Sequence, residues 1–233
     1  SGPAGGAAPV AMFCCCQPAD PGELQVIPVQ TYHGGSALPH DALVARSSVE
    51  PGAASGEAKL TAAQFRATLT KADAHRGCGW RLDPTDPKVL YISGLREDAS
   101  SPVQVYNAAA DEDSRIREGD YIVSANGVSG SAIDINEAIK SSAKLDVVLQ
   151  RPFTHRVSFD KKGRQSGLVL RYAPDSQSLV VELVQEGVVL EDGVDIIARD
   201  RIVEVCGQKG AAEVLIEAFK SADRLELTLA RVA

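Results

Sequence analysis

The sequence predicts a mainly β chain: two partly open antiparallel β-barrels, each with two helices, set in tandem after a disordered N-terminal arm. Three observations carry this. A block of sequence recurs at constant spacing, its apolar residues alternate as half-buried strands do, and the first sixty residues show neither period.

The repeat is the primary signal. Gly119-Asp120-Tyr121-Ile122-Val123-Ser124-Ala125-Asn126-Gly127 is matched 80 positions later by Arg199-Asp200-Arg201-Ile202-Val203-Glu204-Val205-Cys206-Gly207. The same spacing relates Glu137-Ala138-Ile139-Lys140-Ser141 to Glu217-Ala218-Phe219-Lys220-Ser221, and Arg151 to Arg231. Upstream the spacing widens to 90, pairing Arg66–Lys71 with Arg156–Lys161, because the first copy carries a polar insert, Asp98–Ser114, of surface-loop character.

Within each copy the local order is readable. Leu225, Leu227 and Leu229 alternate with Glu226, Thr228 and Ala230 as a half-buried strand. Ala132, Ile135, Ala138 and Ile139 share one helical face, as do Ala212, Leu215, Ala218 and Phe219. Gly127 and Gly207 mark turns after a strand. The expected organisation is an arm over residues 1–60, a first domain over 61–152 and a second over 153–233. Two copies with separate cores, joined only by Arg151-Pro152-Phe153, would be held close and semi-rigid.

Composition narrows the function. The 233 residues are 44% hydrophobic but only 5% aromatic, so the cores are aliphatic, and the net charge of −7 argues against general nucleic-acid binding. No apolar run approaches a membrane span, and no basic region followed by an apolar stretch suggests a secretory signal. His33, His40, His75 and His155 stand in no triad or metal spacing. No phosphate loop, dinucleotide fingerprint or carboxylate pair is evident, so neither catalysis nor a cofactor is expected. Five cysteines, three of them adjacent, make a poor disulfide framework and suggest a cytoplasmic setting. Cys14, Cys15 and Cys16 read equally as an S-acylation tract, which would make the chain membrane-peripheral, or as a redox-exposed tail. Residues 1–58 hold five acids against the single base Arg46, so no basic patch would assist membrane binding.

Taken in order, these motifs resemble the PDZ family across nearly all of residues 63–233. The strand with Gly119-Asp120 ending in Asn126-Gly127, the Ala-Ile-Lys or Ala-Phe-Lys helix and the closing strand each occur twice. The family's glycine-rich loop is similar to Gly77-Cys78-Gly79-Trp80 in repeat 1. In repeat 2 it survives in weaker form as Gln165-Ser166-Gly167-Leu168. The resemblance implies a non-enzymatic scaffold or adaptor that takes the C-terminal tails of partner proteins as an added strand, chiefly in repeat 1. The alternative is a membrane-tethered structural or lipid-binding adaptor whose second repeat serves packing or dimerisation.

The implied groove residues are Gly77, Cys78, Gly79, Trp80, Arg81, Leu82, Ala132, Asn136 and Ile139 in repeat 1. In repeat 2 they are Gln165, Ser166, Gly167, Leu168, Val169, Leu170, Ala212, Ile216 and Phe219. Lys71 or Arg76, and Lys161 or Arg164, would help hold the ligand's carboxylate. Ala132 and Ala212 open the groove helices, and neither donates a hydrogen bond, so no special preference for Ser or Thr at the third ligand residue from the end is expected.

Overall fold

The alternation written into Leu225, Leu227 and Leu229 becomes burial: all three are essentially inaccessible along their strand, while Glu226 between them is exposed. The same rule builds both repeats. The computed structural model describes residues 63–173 and 175–232, together with the four-residue strand Gln25–Pro28. The acylation expected at Cys14, Cys15 and Cys16, and the disorder expected across most of residues 1–60, lie outside the described residues.

The chain is mainly β, with two antiparallel sheets and few helices. In chain order come β1 (Gln25–Pro28), β2 (Gln64–Thr70), β3 (Trp80–Asp83), β4 (Leu90–Leu95), α1 (Pro102–Ala109), β5 (Tyr121–Ala125), β6 (Val128–Ser129), α2 (Ala132–Ser141) and β7 (Lys144–Gln150). They are followed by β8 (Phe153–Asp160), β9 (Leu168–Tyr172), β10 (Leu179–Val184), α3 (Val188–Glu191), β11 (Arg201–Val205), α4 (Ala212–Ser221) and β12 (Arg224–Arg231). One sheet runs β2-β7-β5-β4-β3, with β6 paired to β5; the other runs β1-β9-β10-β11-β12-β8. Apart from β1, the two sheets have the same order. Each repeat has its own aliphatic core, around Leu69, Ile92, Ile122 and Leu149 in one and Leu170, Val181, Ile202 and Leu229 in the other.

The sequence repeat persists at the level of single bonds. Asp120 accepts from the Arg117 amide and pairs with Arg151 Nε at 3.1 Å; Asp200 accepts from the Ile197 amide and pairs with Arg231 Nε at 2.7 Å. Asn126 and Gly127 both have positive φ, as do Cys206 and Gly207, the backbone that tight hairpin turns demand.

Strand β1 was not foreseen. The arm was expected to be disordered, yet Gln25–Pro28 pairs antiparallel with β9. Two β-branched residues, Val26 and Ile27, suit a strand, and β9 supplies the ladder that four isolated residues lack.

The two sheets meet through a buried charge cluster. Arg201, at the start of β11, is 1% exposed and donates to Asp83, at the end of β3, at 2.7 Å. Its guanidinium lies 4.1 Å from the centre of the Tyr91 ring, a cation–π contact. Ser176 also donates to Asp83 at 2.7 Å, and Arg199 pairs with Asp86 at 3.0 Å. Burial works to raise the Asp83 carboxyl, but Arg201 and the hydrogen bonds from Thr85 and Ser176 overcome it and hold it below the usual range. Val232, just after β12, packs on Val89, Tyr91 and Tyr121 of the first repeat.

Candidate functional site

Two places answer to the expected grooves, and they differ. In repeat 1, β3 pairs with β4 on one side only; its other edge has no strand partner among the described residues. α2 packs over β4, β5 and β6. Trp80 and Leu82 are half-buried against the core that Ala132, Ile135 and Ile139 of α2 complete. Asn136, one turn along α2 from Ala132, is half-buried and its amide has no hydrogen-bond partner among the described residues. The result is a slot with an open backbone edge on one side, an apolar floor and one free amide on its helical wall.

The loop before β3 is shaped by α1. The Cys78 carbonyl accepts from the Val103 amide at 3.0 Å, and the Gly79 carbonyl from the Arg96 amide at 2.8 Å. Gly79 has φ +95°, and a Cβ there would lie 2.5 Å from the Ser101 side chain, which caps α1 by accepting from the Gln104 amide. Glycine is therefore demanded twice, by backbone and by space. Cys78 is buried, and its thiol is pushed up to about 11 by that burial, against the pull of Lys71. Burial and the raised thiol both favour the neutral form, as in a core residue.

Around this loop, Arg76, Arg81 and Arg96 are exposed. Arg76 makes no side-chain ion pair among the described residues, and with Arg96 it lies close enough to help lower the Asp98 carboxyl, after the larger effect of hydrogen bonds from Ser100. Lys71 is placed elsewhere. It is 4% exposed, and its ammonium donates to the Ala74 carbonyl and, at 2.7 Å, to the Ile139 carbonyl. It caps the end of α2 and does not face the groove loop. Lys161 does the same for α4, donating to the Phe219 and Lys220 carbonyls at 3.1 Å each. Arg164 is taken by Glu191 at 2.6 Å and Asp192 at 3.3 Å. Of the four basic residues expected to assist a carboxylate, only Arg76 is without an ion pair or hydrogen bond from its side chain among the described residues.

In repeat 2 the loop keeps the same scaffold. The Ser166 carbonyl accepts from the Val189 amide and the Gly167 carbonyl from the Gln185 amide. Gly167 has φ +80°, and a Cβ there would meet the Gln185 carbonyl at 2.5 Å. The groove itself is closed. Leu168 and Leu170 are fully buried, Val169 is half-buried, and β1 covers the edge. Ala212, Ile216 and Phe219 of α4 are buried as well.

Two cavities, about 270 Å³ and 330 Å³, lie away from both grooves. The larger sits between the repeats, lined by residues that include Glu118, Gln177 and Lys209. Among the described residues no cluster of His, Cys, Asp and Glu is arranged to hold a metal ion, and no helix is long and apolar enough to cross a membrane.

No protein-family model matches the chain, and no curated protein sequence does. Solved structures that resemble it include the INAD PDZ45 tandem in complex with an NG2 peptide. That alignment covers 76% of this chain and 93% of the other, at 17% identity and a TM-score of 0.33. A second is INAD PDZ45 with NORPA CC-PBM, covering 72% and 91% at 16% identity and the same TM-score.

Proposed function

We propose that the chain is a non-enzymatic scaffold of two PDZ-like domains whose first repeat binds the C-terminal tail of a partner protein. One observation carries the reading: β3 offers a backbone edge with no strand partner among the described residues, beside apolar side chains and with a glycine-shaped loop at its start. A peptide laid antiparallel to β3 completes the ladder with its main chain. Its last side chain enters the slot between Trp80, Leu82 and Ile139. Its carboxylate meets the backbone N–H groups of residues 77–80, where the absence of a Cβ at Gly79 lets the chain approach.

Arg76 supplies the positive charge at the mouth. Asn136 offers a free amide on the wall among the described residues, so a ligand side chain that can hydrogen-bond to it gains there, while Ala132 gives no preference for Ser or Thr at the third residue from the end. Interfaces of this size give affinities on the order of micromolar, about −8 kcal/mol. Acylation at Cys14, Cys15 and Cys16 would add a peripheral membrane tether to the same scaffold.

The test is a C-terminal peptide library read on the full chain, with each hit synthesised as the free acid and the amide. Free acids bind and the amides lose at least tenfold. Equal binding of both forms rejects carboxylate recognition, and a set of hits indifferent to Asn136→Leu rejects the assigned wall.

A further inference from the structure

Strand β9 is the counterpart of β3, but its outer edge is already occupied. Gln25–Pro28 runs along it antiparallel, with Gln25 opposite Tyr172, Val26 opposite Arg171, Ile27 opposite Leu170 and Pro28 opposite Val169. This is the position and direction of an added peptide strand. The occupant is not a chain end, since the polypeptide continues through Val29 and beyond, so it brings no carboxylate to the loop.

Repeat 2 is built for such an occupant. The Leu168 amide, the equivalent of the Trp80 amide in repeat 1, is engaged by Ser166 Oγ at 3.3 Å in a buried position. An amide already bonded is unavailable to a carboxylate. The corresponding residue in repeat 1 is Cys78, whose sulfur is a weak acceptor. The basic side chains near the loop are also spent: Arg164 on Glu191 and Asp192, Lys161 on the end of α4. The wall of α4 presents Ala212, Ile216 and Phe219, all buried and apolar, where repeat 1 has the free amide of Asn136. What remains is recognition through main-chain pairing and apolar contact, without a terminal charge.

We propose that the β9–α4 groove is a binding site for internal extended segments, and that Gln25–Pro28 of the same chain is its resident ligand. Thirty-five residues, 29–63, join this segment to β2. A covalent tether of that length keeps a segment at an effective concentration on the order of millimolar. Weak intrinsic affinity therefore suffices for occupancy in cis. A partner strand enters repeat 2 only by displacing this segment.

Hydrogen exchange on the full chain, with a blocked peptide as second probe, tests this. Val26→Pro together with Ile27→Pro removes two strand N–H groups. In that variant, the β9 amides of residues 169–172 that face β1 exchange at least tenfold faster than in the wild type, while β12 stays protected. A fluorescent peptide Leu-Gln-Val-Ile-Pro-Val, acetylated and amidated, binds the variant at least tenfold tighter than the wild type. If β12 also loses protection, the length-matched variant Gln25→Gly, Val26→Ser, Ile27→Gly, Pro28→Ser replaces it with the same readouts. Unchanged β9 exchange, or equal peptide binding to both proteins, overturns the proposal. Protection of β9 that falls on dilution as a dimer dissociates places the segment in a second copy and overturns the cis assignment. A peptide without a free carboxylate does not address repeat 1, so this test and the acid-versus-amide test fail independently.

Discussion

The two repeats share a strand order, an Asp–Arg pair across the sheet and a lysine that closes the groove helix, yet their grooves have opposite characters. Repeat 1 leaves the edge of β3 open, places an uncommitted Arg76 near the loop and keeps a polar Asn136 on the wall. Repeat 2 covers β9 with β1, neutralises Arg164 and fills the wall with Ile216. The scaffold is thus indifferent to what its groove does: a handful of substitutions around a fixed loop separates an open slot from an occupied one.

The largest lever on that comparison is the contact that joins the repeats. Asp83→Asn leaves the Arg201 guanidinium buried without its counter-charge, and is expected to cost about 3–5 kcal/mol in urea unfolding. The pH dependence has a definite sign. Asp83 has a folded pKa below its unfolded value of about 4, so its contribution is complete above pH ~4 and is lost as pH falls through the folded value. Wild-type stability should drop steeply in acid, and the Asp83→Asn variant should show less of that drop. An equal acid slope in both proteins would assign it to other carboxylates.

The loops come next. Gly167→Ala drives a Cβ into the Gln185 carbonyl, which is backbone, whereas Gly79→Ala meets the Ser101 side chain. Both glycines have positive φ, so both variants lose about 1–3 kcal/mol, and Gly167→Ala is expected to lose more. Adding Ser101→Gly to Gly79→Ala should recover part of its loss in thermal melts. Smaller still is the effect of Arg76→Ala, about 1 kcal/mol or roughly fivefold weaker binding of free-acid peptides. Arg164→Ala should leave that binding unchanged, since its charge is committed to Glu191 and Asp192.

The smallest effect lies in the hairpin turns. Asn126 and Cys206 adopt nearly the same backbone, φ 50° and 49°, but only Asn126 suits it, and its Oδ1 accepts from the Asp146 amide. Cys206→Asn is expected to stabilise by about 0.5–1 kcal/mol, with Glu226 standing where Asp146 stands.

The strand order and helices were legible because alternation and helical spacing are local and were written twice. The turn residues Asn126-Gly127 and the loop glycine Gly79 were legible for the same reason: each answers a backbone demand. What escaped was everything whose partner is distant in sequence. Lys71 and Arg76 look interchangeable on paper, and only the fold shows one buried under the Ile139 carbonyl and the other exposed. Asp83 and Arg201 are 118 residues apart, and neither position carries a local mark of burial. The Val26-Ile27 strand was hidden because four residues in a Gly- and Pro-rich arm form no period; their order comes from β9.

The Asp83–Arg201 pair also fixes where the molecule is mechanically divided. By sequence the seam is Arg151-Pro152-Phe153, a short tether that any force would straighten first. Yet the carboxylate sits at the end of β3 and its counter-ion in the neighbouring repeat, so moving the repeats apart acts on the end of β3. A pull that separates the repeats therefore acts on the strand whose outer edge is open among the described residues, so release of a peptide bound there as proposed should be sensitive to force.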